Sequence, residues 1–201
     1  MATQADLKYV EWDSVDIHWE GTSQTVKCVF CRSRRGEWVP WVIVAQSALL
    51  DSIDKPGLGL YAARVFNKDD YIGRYDGEII GTYKTRMEAL NSSVCIRRVR
   101  RGHDKLITRQ KKGMVELVDG VTAGPPYLHR MNDPRGTMLK PNIQLTPGGF
   151  AQVTQTRIPA FDLSKDLKGN RKSELRLSYG DEYWEIIELL GSTREYGIEV
   201  D

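Results

Sequence analysis

The feature that most restricts this chain is its punctuation: no apolar run is long, and Gly, Pro and Asn recur between the runs. Residues 124–149 are the extreme case. Eleven of those 26 positions are Gly, Pro or Asn, so the stretch forms a long ordered loop or several turns rather than a continuous element. On either side the runs are short and strand-like. Thr25–Arg32 and Trp38–Val44 flank a Ser33-Arg34-Arg35-Gly36 turn, which predicts a hairpin, and Pro40 predicts an edge strand or a bulge. Leu60–Val65 and Tyr71–Tyr75 read as strands, and Gly77–Gly81 closes that block. Ile107–Gln110 and Met114–Val118 around Lys112-Gly113 predict a second hairpin. Phe150–Thr156 and Glu174–Tyr179 alternate like strands. Helix is expected only at about Thr82–Asn91, with Met87 and Leu90 on one face, and at Asp181–Leu190, ended by Gly191. This is a β-rich α+β pattern, and it excludes a doubly wound sheet.

Composition removes several functional classes. Lys+Arg 29 against Asp+Glu 27 leaves +2, too little for a surface built throughout for nucleic acid. No apolar run approaches the ~18–20 residues of a membrane-spanning helix. The opening MATQADLKYVEWD lacks the basic-then-apolar layout of a secretory leader, so secretion is not expected. Three cysteines cannot make a disulfide framework, which favours a reducing compartment.

Four patterns have the residue types that chemistry needs. Gly57-Leu58-Gly59-Leu60-Tyr61-Ala62 satisfies G-x-G-x-x-A, but a dinucleotide site needs a strand before and a helix after it, and here a turn precedes and strands follow. A Gly-x-Gly still lets a ligand lie against the backbone. His18-x-Glu20 with Cys28-x-x-Cys31 mimics a zinc-deaminase signature. Lys27 stands in place of its Pro, and Cys28 and Cys31 point to opposite faces of a strand. Two inert thiols are expected, and no metal. Arg97-Arg98-Val99-Arg100-Arg101, extended by His103, Lys105, Arg109, Lys111 and Lys112, is either a solvated surface segment or a patch for the phosphates of nucleosomal DNA. The fourth pattern is distributed: Tyr127-Leu128-His129-Arg130-Met131-Asn132-Asp133, then Pro141-Asn142-Ile143, then Glu174–Trp184.

The order and spacing of these segments resemble a SET domain, the protein-lysine methyltransferase family. GLGLYAARVFNKDDYIGRYDGEIIG resembles its opening segment, YLHRMND…PNI its asparagine–histidine…proline–asparagine segment, and ELRLSYGDEYW the closing segment with the catalytic tyrosine. The resemblance runs from about Val44 to Trp184. It divides the chain into a Trp-rich extension at 1–43, a SET domain at 44–185 and a tail at 186–201. The extension is either a small barrel of the Tudor type or an addition to the SET sheet. There are three departures: Asp133 replaces the usual histidine, His129 replaces an arginine, and Pro134–Lys140 is inserted.

What the resemblance implies is a fold of several small sheets with few short helices and a C-terminal pseudoknot, using S-adenosylmethionine. Gly57, Leu58, Gly59 and Tyr61 would bind the cofactor on one side, and Asn132 and Asp133 on the other, with Trp184 closing over the adenine. Tyr179 would be the catalytic residue, Tyr75 would line the same channel, and Leu177 would set the number of methyl groups. The implied substrate is a protein lysine, a histone tail first, in the nucleus, with the cytoplasm and a non-histone protein as alternatives. A SET-like binding module without catalysis is the rival from another class.

Overall fold

In the computed structural model, residues 10–20, 22, 24–33, 35–49, 57–101, 105–135, 137–181, 185 and 188 are described. They form small antiparallel sheets with a few short helices, as the punctuation predicts. The chain divides into two compact units. The first comprises Met1–Tyr75, Gly124–Thr146 and Phe150–Ser178; the second comprises Asp76–Ala123, Pro147–Gly149 and Tyr179–Asp201.

In the first unit, β1 (Trp12–Trp19), β2 (Gln24–Arg32), β3 (Trp38–Gln46) and β4 (Leu58–Ala62) make one sheet in sequential order. The expected hairpin is β2–β3, and Pro40 sits at a bulge. Val29 pairs with Val42 while Phe30 pairs with Pro40, so the missing N–H of proline falls where the ladder is already broken. The boundary set at residue 43 falls inside β3, which pairs with β2 on one side and β4 on the other. The Trp-rich extension therefore adds strands to the sheet that carries Gly59.

β2 is buried on both faces, with Val26 and Cys28 on one and Val29 and Cys31 on the other. The core on the first face gathers Trp19, Val26, Cys28, Ile43, Ala45, Tyr61 and Phe161. Burying an apolar side chain of this size contributes ~1.5–3 kcal/mol. The indole of Trp19 also donates to the Lys165 carbonyl at 2.8 Å, so its one polar atom is satisfied. Cys28 and Cys31 are free thiols whose ionisation burial pushes up, which matches the inert pair expected. His18 is exposed on β1, and no metal-competent group of His, Cys, Asp or Glu exists among the described residues.

Two further sheets complete the unit. β5 (Phe66–Asn67) pairs with β12 (Arg157–Ile158), while β6 (Tyr71–Arg74), β11 (Phe150–Val153) and β10 (Ile143–Leu145) form a three-stranded sheet. The Glu174–Tyr179 alternation does not become a regular strand. Glu174, Arg176 and Leu177 make only isolated bridges, because their partners lie on three different segments.

The second unit holds β7 (Glu78–Tyr83), β8 (Leu106–Lys111) and β9 (Met114–Asp119) in the order β7-β9-β8. Gly77–Gly81 thus opens a new sheet instead of closing the previous block. The β8–β9 hairpin turns at Lys112 and Gly113, both with positive φ (50° and 78°), the two-residue type I′ geometry its strand twist requires. The predicted helix is shorter than expected: α1 (Arg86–Leu90) starts at a Thr85/Glu88 capping box. Ala89 and Leu90 are its buried residues, and Met87 is exposed, not on the core face. α2 (Ser93–Arg100) was not expected; Ser92 caps it and Cys95 anchors it in the core. Of the closing helix, Asp181, Glu185 and Glu188 are helical, and its other residues lie outside the described set.

Candidate functional site

Segments that carry the resemblance within the first unit meet around Glu174. Glu174 is fully buried. Its Oε1 accepts from the Ser47 hydroxyl at 2.6 Å and, at 3.5 Å, from the Asn132 amide; its Oε2 accepts from the Ala48 N–H at 3.1 Å. Burial pushes this carboxyl above the usual range, outweighing the three donors and the nearby Arg176 charge. The Asn132 amide also donates to the Leu58 carbonyl at 3.1 Å. Gly57-Leu58-Gly59 and Asn132-Asp133 are therefore tied side by side. Leu58 is 44% exposed, and Gly57, Asn132 and Asp133 are half-buried, so this seam faces solvent.

The segment 174–177 is held from both sides. Leu175 N–H donates to Leu60 O at 2.7 Å, and Leu177 N–H donates to Asn132 O at 3.1 Å. Asn142, almost fully buried, clasps the same segment. Its Oδ1 accepts from Arg176 N–H at 2.7 Å, its Nδ2 donates to Glu174 O at 2.9 Å, and its own N–H donates to Arg176 O at 3.0 Å. Arg176 in turn donates from Nε to Lys140 O at 2.9 Å and from Nη1 to Arg171 O at 3.2 Å. The inserted Pro134–Lys140 stretch is thus anchored at its end by a buried guanidinium.

The sequence-predicted residues divide into three groups. Leu58, Gly59, Asn132, Asp133 and Leu177 lie along the seam just described. Gly59 is small for a reason different from the one expected. A Cβ there would stand 2.6 Å from Glu174 Oε1 and 3.2 Å from Ser47 Cα, so its missing side chain makes room for the protein's own carboxylate. Asp133 spends one carboxylate oxygen on the Arg135 N–H at 2.8 Å, an Asx turn that starts the insert.

Tyr61, expected at the cofactor, is enclosed by its own unit among the described residues. It is 0% exposed, packs edge-on against Phe161, donates to Gln46 O at 2.7 Å and accepts from Ala48 N–H at 2.9 Å, so its side chain holds residues 46–48. Tyr75 is also fully buried, and Leu177 is 2% exposed. Trp184 lies outside the described residues.

Tyr179 belongs to the second unit. There it is 8% exposed, the Lys105 ammonium stands 5.7 Å from its ring centroid, and its carbonyl accepts from Arg86 Nη2 at 3.4 Å. In the same unit part of the basic segment 97–112 is engaged in ion pairs. Arg98 pairs with Glu78 at 2.9 Å and with buried Asp119 at 3.1 Å. Buried Arg109 pairs with Glu116 at 2.6 Å, and Lys111 reaches the same carboxylate at 3.0 Å. Burial pushes Glu116 up, but the two cations outweigh it and hold the carboxyl below its usual range. A cleft of about 200 Å³ lined by Val94, Arg97, Arg98 and Arg101 opens on one face of α2.

Glu174, Ser47, Asn142, Arg176 and Lys105 were not singled out from the sequence as site residues. Glu174 had a signal, since a carboxylate opening an alternating apolar segment must be buried and satisfied. Compared with known proteins, the chain matches no family model and no curated protein.

Proposed function

We propose that this protein transfers methyl groups from S-adenosylmethionine to a lysine side chain of another protein, a histone tail first, and so works in the nucleus. The observation that carries this reading is the Asn132–Leu58 hydrogen bond beside the clasped segment 174–177. It joins three stretches that resemble SET-domain motifs and stand 74 and 42 residues apart along the chain. The clasp of 174–177 between Asn132 and Asn142 also supports the threaded C-terminal segment of that fold, an exception to the rule against knotted connections.

The seam suits the cofactor. Backbone from Gly57, Leu58, Asn132 and Asp133 would hold it, and half-exposed Leu58 supplies an apolar edge for a ring or aliphatic chain. When bound, S-adenosylmethionine supplies an electrophilic methyl on a sulfonium. The rest falls to the chain's own residues. Free lysine titrates near ~10.4, so the target amine must lose its proton before it can attack. Apolar groups such as Leu177 disfavour the charged ammonium by withholding water. As the resemblance implies, the Tyr179 hydroxyl would aim the amine lone pair without adding a competing nucleophile. Any contact with nucleosomal DNA would use Arg97 and Arg101, which are exposed, because Arg98 is already paired with Glu78 and Asp119.

The test is incubation with isotopically labelled S-adenosylmethionine and a panel of histones and nucleosomes, with the modified lysine mapped by mass spectrometry. Label on one lysine is the expected result. Calorimetry on the same preparation separates the rival: cofactor binding without transfer to any protein refutes the proposed substrate class. No cofactor binding leaves a SET-like binding module, in which the Asp133 exchange has removed the affinity.

A further inference from the structure

The buried carboxylate beneath the seam reaches both of its sides. On the glycine side, the Ser47 N–H donates to the Gly57 carbonyl at 2.9 Å, while the Ser47 hydroxyl donates to Glu174 Oε1 at 2.6 Å. Gly59 leaves open the space that the same oxygen fills. On the other side, the Asn132 amide donates to the Leu58 carbonyl at 3.1 Å and to Glu174 Oε1 at 3.5 Å. The backbone of Asn132 is held as well, because its carbonyl accepts from the Leu177 N–H at 3.1 Å. All of these residues belong to the first unit.

An asparagine amide has two unlike ends, two donor hydrogens on nitrogen and one acceptor oxygen. At Asn132 both neighbouring acceptors stand on the nitrogen side. A flipped amide would lose both bonds and turn its oxygen against the Leu58 carbonyl and Glu174 Oε1 together. One orientation is therefore satisfied, and in it the Asn132 Oδ1 accepts no hydrogen bond among the described residues. Asn132 is half-buried on a seam that faces solvent, so this oxygen is an acceptor the seam can offer a ligand.

We propose that Glu174 is a positioning residue for the cofactor: it locks the Asn132 amide with Oδ1 available to a donor group of the ligand. The proposal rests on the methyltransferase reading above. Glu174 is itself fully buried and acts through Asn132.

Glu174→Gln tests the lock with little change of shape. The Ala48 N–H draws the glutamine oxygen to the position of Oε2, which leaves the glutamine nitrogen where Oε1 faces Ser47 and Asn132. A donor then meets the Asn132 donor, so the amide inverts, its oxygen turns inward and the Leu58 bond is lost.

Two measurements follow, the first without cofactor. In wild-type protein the Asn132 side-chain amide protons should exchange with water more slowly than those of exposed Asn67 and Asn91, and in Glu174→Gln they should reach those rates. Equal rates in the wild type would overturn the lock. The second is calorimetry with S-adenosylmethionine on the wild type, Glu174→Gln, Asn132→Ala and the double variant. Each single variant should bind about tenfold more weakly, the effect of one lost hydrogen bond, and the double variant no more weakly than Asn132→Ala. A further loss in the double variant would show that Glu174 supports binding by another route and refutes the positioning role. Wild-type affinity in either single variant also refutes it and leaves the function standing. No binding by the wild type removes both.

Discussion

Glu174 shows how much one side chain can organise. It satisfies donors from Ser47, Ala48 and Asn132, and it occupies the space that Gly59 leaves open. Replacing it with Ala removes the acceptor of the buried Ser47 hydroxyl and leaves Ala48 N–H with Tyr61 and the Asn132 amide with Leu58, and the expected loss is about 2 kcal/mol in urea unfolding. Glu174→Gln keeps an acceptor for Ala48 and a donor for Ser47, and should cost less than half as much. The pH dependence separates the two roles of the carboxyl. Its folded value lies above the unfolded 4.5, so its contribution is fully present below that pH and is lost as pH rises through the folded value. The stability gap between wild type and Glu174→Gln should therefore narrow from pH 4 upward; a gap that widens would contradict the raised carboxyl. At the proposed catalytic position, Tyr179→Phe removes only a hydroxyl. It should abolish methyl transfer in the labelled-cofactor assay while leaving cofactor affinity and unfolding unchanged. Near-normal activity would show that another residue aims the amine. Two positions before it, Leu177 has no donor or acceptor with which to hold a water beside the amine. The wild type should then progress to di- or trimethyl product in a mass-resolved time course, and Leu177→Tyr should stall at one methyl. A wild type that stops at monomethyl at long times would refute the role given to Leu177.

At the scale of elements, what the sequence revealed depends on how local the determinant is. The β8–β9 hairpin was legible because Lys112-Gly113 leaves two residues between two alternating runs, which specifies the turn directly. The bulge at Pro40 was legible for the same reason. The helix α2 was not. Its Arg97, Arg98, Arg100 and Arg101 dominate the composition, and the apolar spacing Cys95–Val99 behind a Ser92 cap covers only one helical repeat. The charge run was visible, but which of its cations remain available was not, because Glu78, Glu116 and Asp119 that neutralise three of them sit on neighbouring strands. This sorting gives a prediction for α2. Arg97 and Arg101 stand one turn apart on the face that opens the cleft and are both exposed. The double variant Arg97→Glu/Arg101→Glu should weaken duplex-DNA binding and lower the slope of log affinity against log salt by about 2, at ~0.9 per lost phosphate contact. Arg98→Ala should act on the fold instead, removing one charged partner of buried Asp119 at a cost of about 1.5–3 kcal/mol. An unchanged slope in the double variant would remove this face from any nucleic-acid role.

Across the whole molecule, the first unit is assembled by contacts that no sequence window contains. Glu174 meets Ser47 across 127 residues and Asn132 across 42, and the Asn142 amide reaches the Glu174 carbonyl across 32. Periodicity reports which face of a segment is apolar; it says nothing of which distant segment supplies the partner. The alternation of Glu174–Tyr179 was therefore visible while its irregular pairing was not: a strand whose partners sit at Leu60, Asn132 and Ile143 in turn cannot keep one ladder. The resemblance supplied the adjacency of these segments as an expectation, and the hydrogen bonds place them together. Because 174–177 comes last in the first unit, the unit's earlier segments lack their clasp until that segment has been synthesised. This predicts a sharp length dependence. A chain ending after Ser178 keeps every bond that Leu60, Asn132 and Asn142 make to 174–177, and it should retain a cooperative urea transition of the first unit, followed by the near-ultraviolet signal of buried Trp19 and Trp41. A chain ending after Ser173 loses the Glu174 carboxylate, both Asn142 side-chain bonds and the Leu175 and Leu177 backbone bonds together. Each such bond contributes ~0.5–1.5 kcal/mol net, so these seven, three of them to the carboxylate, amount to ~3.5–10 kcal/mol, comparable with the ~5–15 kcal/mol by which a domain is stable. That shorter chain should show no cooperative transition and a collapsed tryptophan signal. If both chains unfold with the same midpoint, the clasp is an ornament of the fold and not its closure.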